Sequence, residues 1–316
     1  MKSRIQGYKE VIIRFLFVAV TILLVSHTAY AAKVVQITGN AVKGKAYTQS
    51  SMPNSKAKIV PAGYKTIRGT RSTSFDISGK GKKTPVSVKK NGGKVSIFIN
   101  NKKVLTKALP LNSSRALVNT TFLRLSNKKA FVFISSGFDD EEATRQACLY
   151  KYTGKKLVLV YDFIKDVTYP SPYSGIKPVV GFHSVSQNVI TFIIWGTSKA
   201  IGASGSYIKF EYKSGSLKLK SRVVGVLNPY VGSGKPKKDT NYYRLLVNVP
   251  YYAKSTSTSK AGTLKAGTYY KINAMYFKKG VKRFQLVGKN KRAYWINASA
   301  SNGKYGTVLA GRSRGQ

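Results

Sequence analysis

The 316-residue sequence predicts an all-β protein: a domain of repeated hairpins, propeller-blade-like or a sandwich, followed by a small barrel. Three observations carry that prediction. Short apolar runs rich in Val, Ile, Tyr and Phe alternate with Gly, Asn, Ser and Lys, and no long stretch repeats at the 3.6-residue period of a helix. Gly154 and Gly215 stand in the short polar segments 152–156 and 212–216, where a tight hairpin tip needs positive φ. The middle of the chain also matches itself at a spacing of about sixty residues.

Taken in order, residues 1–31 read as an export signal. Lys2, Arg4, Lys9 and Arg14 precede an apolar core, Phe15–Val25, and Ala29 and Ala31 supply the small residues read by a signal peptidase. Arg14 keeps the apolar run well short of the roughly 20 residues of a spanning helix. Residues 32–228 then form the hairpin domain, with strands expected at Val86–Lys89, Lys94–Ile99, Phe122–Leu125, Ala130–Ile134, Leu149–Tyr152, Leu157–Tyr161, Val189–Trp195, Tyr207–Tyr212 and Leu217–Val224. In the repeat, Asn127–Gly137 lies on Gln187–Gly196, and Leu149–Leu159 lies on Ile208–Leu219. Each unit reads as four strands of one sheet, and residues 75–107 fit part of a further unit. Residues 229–241 hold Pro, Gly and Lys with little apolar content and read as a linker. A C-terminal module, 242–300, and a basic tail, 301–316, complete the expected organisation.

Charge is the strongest functional signal. Lys and Arg number 55 against ten Asp and Glu, a net charge of +45. A chain so one-sided repels itself and attracts anions. Cys148 is the one cysteine, so an internal disulfide is excluded, and His183 is the one histidine beyond residue 31. One His and one Cys fall short of a zinc site, so neither metal nor cofactor is expected.

Within the C-terminal module, Val249–Lys254, Ala261–Ile272 and Phe284–Ile296 follow a recognisable order: a first strand with a Ser/Lys tail, a Leu-Lys-x-Gly-Thr turn, a central strand and a closing Tyr-Trp-Ile. This order resembles bacterial SH3-like wall-binding modules, and within that class the C-terminal domains of lactobacillar surface-layer proteins. The resemblance implies non-covalent attachment to wall polymers. It departs from the surface-layer pattern, which pairs two copies where one is evident here. The same segment carries the candidate polyanion-binding residues Lys254, Lys265, Lys271, Lys278, Lys279, Lys282, Arg283, Lys289, Lys291 and Arg292. Tyr252, Tyr276 and Trp295 are the candidates for stacking on sugar rings, against the alternative that they fill the barrel.

Other motifs argue against chemistry. Phe75–Val88 resembles the calcium loops of extracellular propeller-type (FG-GAP-like) repeats, but only Asp76 and Gly81 of that pattern survive, and Lys80 stands at a ligand position, so no metal is expected. Asp139, Asp140, Glu141 and Glu142 read as a solvated acidic loop. No nucleophile elbow or Ser/His/Asp arrangement emerges, and no catalytic residue is assigned. The expectation is a secreted, non-enzymatic protein, associated non-covalently with the bacterial cell wall. Its expected partners are teichoic or lipoteichoic acid and peptidoglycan, with no specific nucleic acid and no membrane after signal cleavage. The alternative is a wall or polysaccharide hydrolase targeted by the same module, for which Asp162 and Asp166 are the carboxylate pair to test.

Overall fold

The computed structural model describes residues 61–138, 144–167, 179–230, 242–278, 281–303 and 306–309, all within the unit Lys43–Gln316. The expected export signal, the run Asp139–Glu142 and most of the expected linker and basic tail lie outside those residues.

The described chain is all-β, built from antiparallel meanders with one short α-helix and one 3-10 turn, Pro110–Asn112. Strand β1 (Gly63–Arg68) leads into β2 (Ser72–Phe75), β3 (Thr84–Asn91), β4 (Lys94–Ile99) and β5 (Lys102–Ala108), and β2–β5 form the first meander. The second meander is β6 (Leu117–Arg124), β7 (Ala130–Gly137), β8 (Thr144–Tyr152) and β9 (Leu157–Asp162), with β1 returning to pair with β6 at its edge. Helix α1 (Phe163–Val167) leads on towards the third meander, β10 (Val179–Ser186), β11 (Val189–Ser198), β12 (Gly202–Lys213) and β13 (Ser216–Leu219). The sixty-residue repeat thus corresponds to the last three strands of the second and third meanders, and residues 75–107 supply most of the first.

The repeat extends to its turns. Ser214 and Gly215 have φ of 52° and 79°, the paired left-handed conformation of a two-residue hairpin loop. Tyr152 donates its hydroxyl to the Gly154 carbonyl and Tyr212 donates to the Gly215 carbonyl, each at 2.9 Å. The same device closes the same hairpin twice.

Layering follows from which strand faces are apolar. In β4 the pattern alternates, with Val95, Ile97 and Ile99 inside and Lys94, Ser96 and Phe98 on the other face. In β7, Ala130 through Ser136 are all buried, because the second sheet is covered on both sides. One face meets the first sheet through Phe122, Val132, Ile134 and Cys148. The other carries Phe131, Phe133 and Leu149 into a larger cluster with Phe163, Phe192 and Phe210. Phe163 lies edge-on to Phe133 at 5.7 Å and close to Phe192 at 4.7 Å, so α1 delivers one aromatic plug between two sheets. Each fully buried Phe contributes about 2–3 kcal/mol of transfer free energy.

The same cluster continues into the C-terminal sheet through Ile272, Phe277, Phe284, Leu286 and Ile296. That sheet contains β14 (Val223–Gly225), β16 (Tyr242–Arg244), β19 (Tyr269–Lys278), β20 (Val281–Gly288) and β21 (Ala293–Asn297). Strand β15 (Leu227–Tyr230) pairs with β12, and β17 (Val249–Tyr251) pairs with β18 (Gly262–Leu264). A mutual backbone bridge between Tyr252 and Trp295 attaches the β17–β18 pair to β21.

Leu217–Val224, read from the sequence as one strand, is two. Ser216–Leu219 pairs with β12, whereas Val223–Gly225 pairs with β19 in the C-terminal sheet. The break is local and long-range at once. Ser221 Oγ accepts from the Val223 amide and donates to the Val223 carbonyl, while Arg222 reaches Asp166 Oδ2 at 2.9 Å.

Candidate anion-binding surface

The described carboxylates come first, because they decide how many cations stand uncompensated. There are four, and each already faces a cation: Asp76 with Arg124 at 2.8 Å, Asp162 with Lys165 at 3.9 Å, Asp166 with Arg222 at 2.9 Å and Glu211 with Lys220 at 3.4 Å. No described carboxylate lies beyond residue 211, so the lysines and arginines of the C-terminal sheet have no described acid of their own.

That sheet sorts its cations by face and by end. Paired residues share a face, so Arg244 and Tyr269 lie side by side on the outer face, and Tyr242 and Lys271 lie next to them. Tyr270 pairs with Gly288, which brings the β20–β21 turn to the same end. Lys289, Lys291 and Arg292 sit in that turn, held by Gly288 and Lys291 backbone bonds and by the Asn290 side chain. Lys265 lies in the turn before β19, close to where the Ala266 amide bonds Asn248. Lys289 Nζ is 5.7 Å from the centre of the Tyr269 ring. Arg244, Lys265, Lys271, Lys289, Lys291 and Arg292 are all exposed, as is Tyr269. One end of the sheet thus gathers six cations and a tyrosine.

The remaining sequence candidates are elsewhere. Lys254 and Lys278 are exposed at the opposite end, about 30 Å away along β19 at 3.4 Å per residue. Lys279 lies outside the described residues. Lys282 and Arg283, expected to be surface cations, are instead 8% and 7% exposed. Arg283 stacks on Tyr252 at 3.6 Å and donates to the Ser255 carbonyl at 2.8 Å and to Asn297 Oδ1 at 3.2 Å, clasping the 252–255 segment onto the sheet. Lys282 pairs with Phe277 and alternates with Phe284 and Leu286, so it faces the apolar core, its Nζ 5.7 Å from the Phe284 ring centre. Burial pulls its pKa down to about 8.

Tyr252, Tyr276 and Trp295 also differ from the sugar-stacking expectation. They form a small buried cluster with Ala274, and their ring faces are covered. The bulge between Ile272 and Ala274 turns Tyr276 to the outer face, where it pairs with Arg283, and the clasped 252–255 segment lies over that face. Sequence reasoning missed Arg244 and Tyr269. The alternation through Tyr242–Arg244 was the available signal, but only the β16–β19 register shows what stands beside it.

The carboxylates to be tested for catalysis, Asp162 and Asp166, each make local contacts. Asp166 accepts from Tyr161 Oη at 2.5 Å and from Arg222 Nη1, tying α1 to the start of β14. Burial, and then the bond to Asp166, pushes the Tyr161 phenol up. Asp162 accepts from the Lys165 amide at 3.3 Å. At the calcium-like loop, the Asp76 carboxylate accepts from the Gly79, Lys80 and Gly81 amides at 2.8, 3.2 and 2.9 Å. Arg124 stands where a cation would, also bonding the Asp76 and Pro61 carbonyls. Partial burial alone would raise the Asp76 carboxyl, but the Gly81 amide and Arg124 outweigh it and hold it below the ordinary value. His183 packs on Tyr207 at 4.5 Å, and burial lowers its pKa. Cys148 is buried, and desolvation raises its thiol. Among the described residues no three His, Cys, Asp or Glu side chains converge as metal ligands, and no helix is long and apolar enough to cross a membrane.

No family model, no curated protein and no solved structure matches this chain.

Proposed function

We propose that this is a secreted, non-enzymatic surface protein that holds anionic cell-wall polymers by electrostatics, chiefly through the cationic end of its C-terminal sheet. The observation that carries the reading is the imbalance of partners. All four described carboxylates are engaged by other cations, and Arg244, Lys265, Lys271, Lys289, Lys291 and Arg292 crowd one sheet end without an acid among the described residues. Repulsion among such groups is relieved when a phosphate or carboxylate polymer lies across them and displaces their small counterions. What supports the SH3-like reading of the module is the order in which its strands connect, β18–β17–β21–β20–β19–β16, with β14, from before the module, also pairing with β19.

The test is sedimentation with isolated Gram-positive walls across a salt series. Binding should fall steeply between about 50 and 500 mM NaCl, since exposed charges are screened within about 10 Å at 0.1 M. Removing teichoic acid from the walls, or replacing Arg244, Lys271 and Lys289 with Ser together, should abolish most of it. Salt-independent binding, or equal binding by that triple variant, would refute the assignment.

A further inference from the structure

The outer face of the third sheet carries a second arrangement of a different chemistry. Register places Trp195 opposite Gly205, Ile193 opposite Tyr207 and Thr191 opposite Lys209, so these residues share one face. The inner face is the one that buries Phe192, Ile194, Ile208 and Phe210. Trp195 is 36% exposed, unusual for an indole in the middle strand of its sheet. It lies down on the strand: a Cβ built at Gly205 would sit 3.0–3.1 Å from three carbons of the indole. A side chain at 205 would press on the ring and make it shift, so the glycine is what lets the indole lie this close against β12. Two residues along β12, about 7 Å away, the half-buried Tyr207 ring is braced by His183 at 4.5 Å.

We infer that Trp195 and Tyr207 form a platform for the sugar rings of an anionic polysaccharide, with Lys209 meeting its acidic groups. A pyranose offers an apolar C–H face to a flat π system and a rim of hydroxyls to the polar groups around it. His183 and the Tyr207 hydroxyl supply such groups. A protein partner would need a broad apolar patch, yet among the described large apolar side chains of this sheet only Trp195 and Val179 are exposed. The field selects the charge of the polymer. Glu211 is the one acid of this sheet among the described residues, and Lys220 already engages it at 3.4 Å. The proposal rests on the polyanion reading above and adds recognition of the sugar itself, at a site remote in sequence from the C-terminal strip.

The experiment compares polygalacturonate, which has a ring for every carboxylate, with inorganic polyphosphate, which has charge and no ring. It uses the full chain, with Kd and tryptophan emission as readouts. Trp195 and Trp295 are the only tryptophans, and Trp295 is 7% exposed, so polymer-dependent change in emission reports on Trp195 while Trp295 reports on folding. Polygalacturonate should shift the emission. Trp195→Ala should erase that shift and weaken polygalacturonate binding about tenfold, and Gly205→Val, which lifts the indole off the strand, should weaken it several-fold. Both variants should bind polyphosphate within about twofold of the wild type, since surface charge alone governs that interaction. Equal polygalacturonate affinity for Trp195→Ala and the wild type, with polyphosphate still bound, overturns the platform and spares the electrostatic reading. Failure to bind either polymer overturns both.

Discussion

The two halves of the molecule bury cations in opposite ways. In the amino-terminal half, Arg124 enters the protein against a carboxylate: Asp76 faces it at 2.8 Å, two carbonyls accept from it, and Phe75 lies 5.8 Å beneath it. In the C-terminal half, adjacent residues of β20 enter opposite faces of one sheet, with no described carboxylate paired to either. Arg283 is satisfied by carbonyls, an amide oxygen and a tyrosine ring, whereas Lys282 faces the apolar side of the sheet with its Nζ over the Phe284 ring. A chain with so few acids can neutralise a buried cation by charge only occasionally. Elsewhere it relies on dipoles and π faces, or on a weakened hold on the proton.

The largest expected effect breaks the charge-paired side of that comparison. Asp76→Ala strands the nearly buried Arg124 and should lower stability by about 3–5 kcal/mol in urea denaturation. A cost under about 1 kcal/mol would mean that the carbonyls alone suffice. Because the folded Asp76 carboxyl is held below its unfolded value near 3.8, its contribution is complete above that pH and is lost as the pH falls through the folded value.

Substitution at Lys282 should act in the opposite direction and stabilise the protein. Its folded pKa of about 8 lies below the unfolded 10.5, so the unfolded chain binds the proton more tightly between those values. The penalty is therefore full below pH 8, and wild-type stability gains a contribution of about 3 kcal/mol as pH rises towards 10.5. Lys282→Met should raise stability at pH 7 by an amount of that order and flatten this rise, as read from denaturation midpoints at pH 7 and pH 10. A variant no more stable than the wild type at pH 7 would show that the ammonium is solvated after all.

Arg283→Ala should cost about 2 kcal/mol through lost stacking and hydrogen bonds. It should also free the clasped 252–255 segment, seen as faster limited proteolysis after Lys254. If the segment stays protected, Tyr252 and its backbone bridge to Trp295 hold it without the guanidinium. Smallest in stability is the double change Lys271→Ser and Lys289→Ser. Both side chains are exposed, so folding should move by no more than about 0.5 kcal/mol, while binding to walls falls with a reduced salt slope. A large loss of stability there would make those lysines structural and weaken the functional reading.

How far the molecule was legible depends on the range of the forces involved. Lys94–Ile99 was read from alternation with the bounds the structure gives it. Ala130–Ile134 was read as a strand, and the structure carries it on to Gly137. The hairpin tips at Gly154 and Gly215 followed from backbone sterics at single residues. These features arise from neighbours in the chain. The candidate site was legible in composition but not in placement. Lys282 and Arg283 look like their neighbours in sequence, and only the clasped segment and the apolar face of β20 turn them inward. Trp195 looked like one more strand residue until Gly205, ten positions later, was found beneath its ring.

Period and charge by themselves determined that this chain makes β-hairpins and carries a large positive charge, because the first follows from the order of near neighbours in the chain and the second is a sum over residue types. The tertiary structure alone decided which cations remain in water, which aromatic rings stay open and where β13 ends and β14 changes sheets. Those outcomes depend on contacts between residues far apart in sequence, such as Asp166 with Arg222 or Tyr252 with Trp295, whose partners no local pattern names.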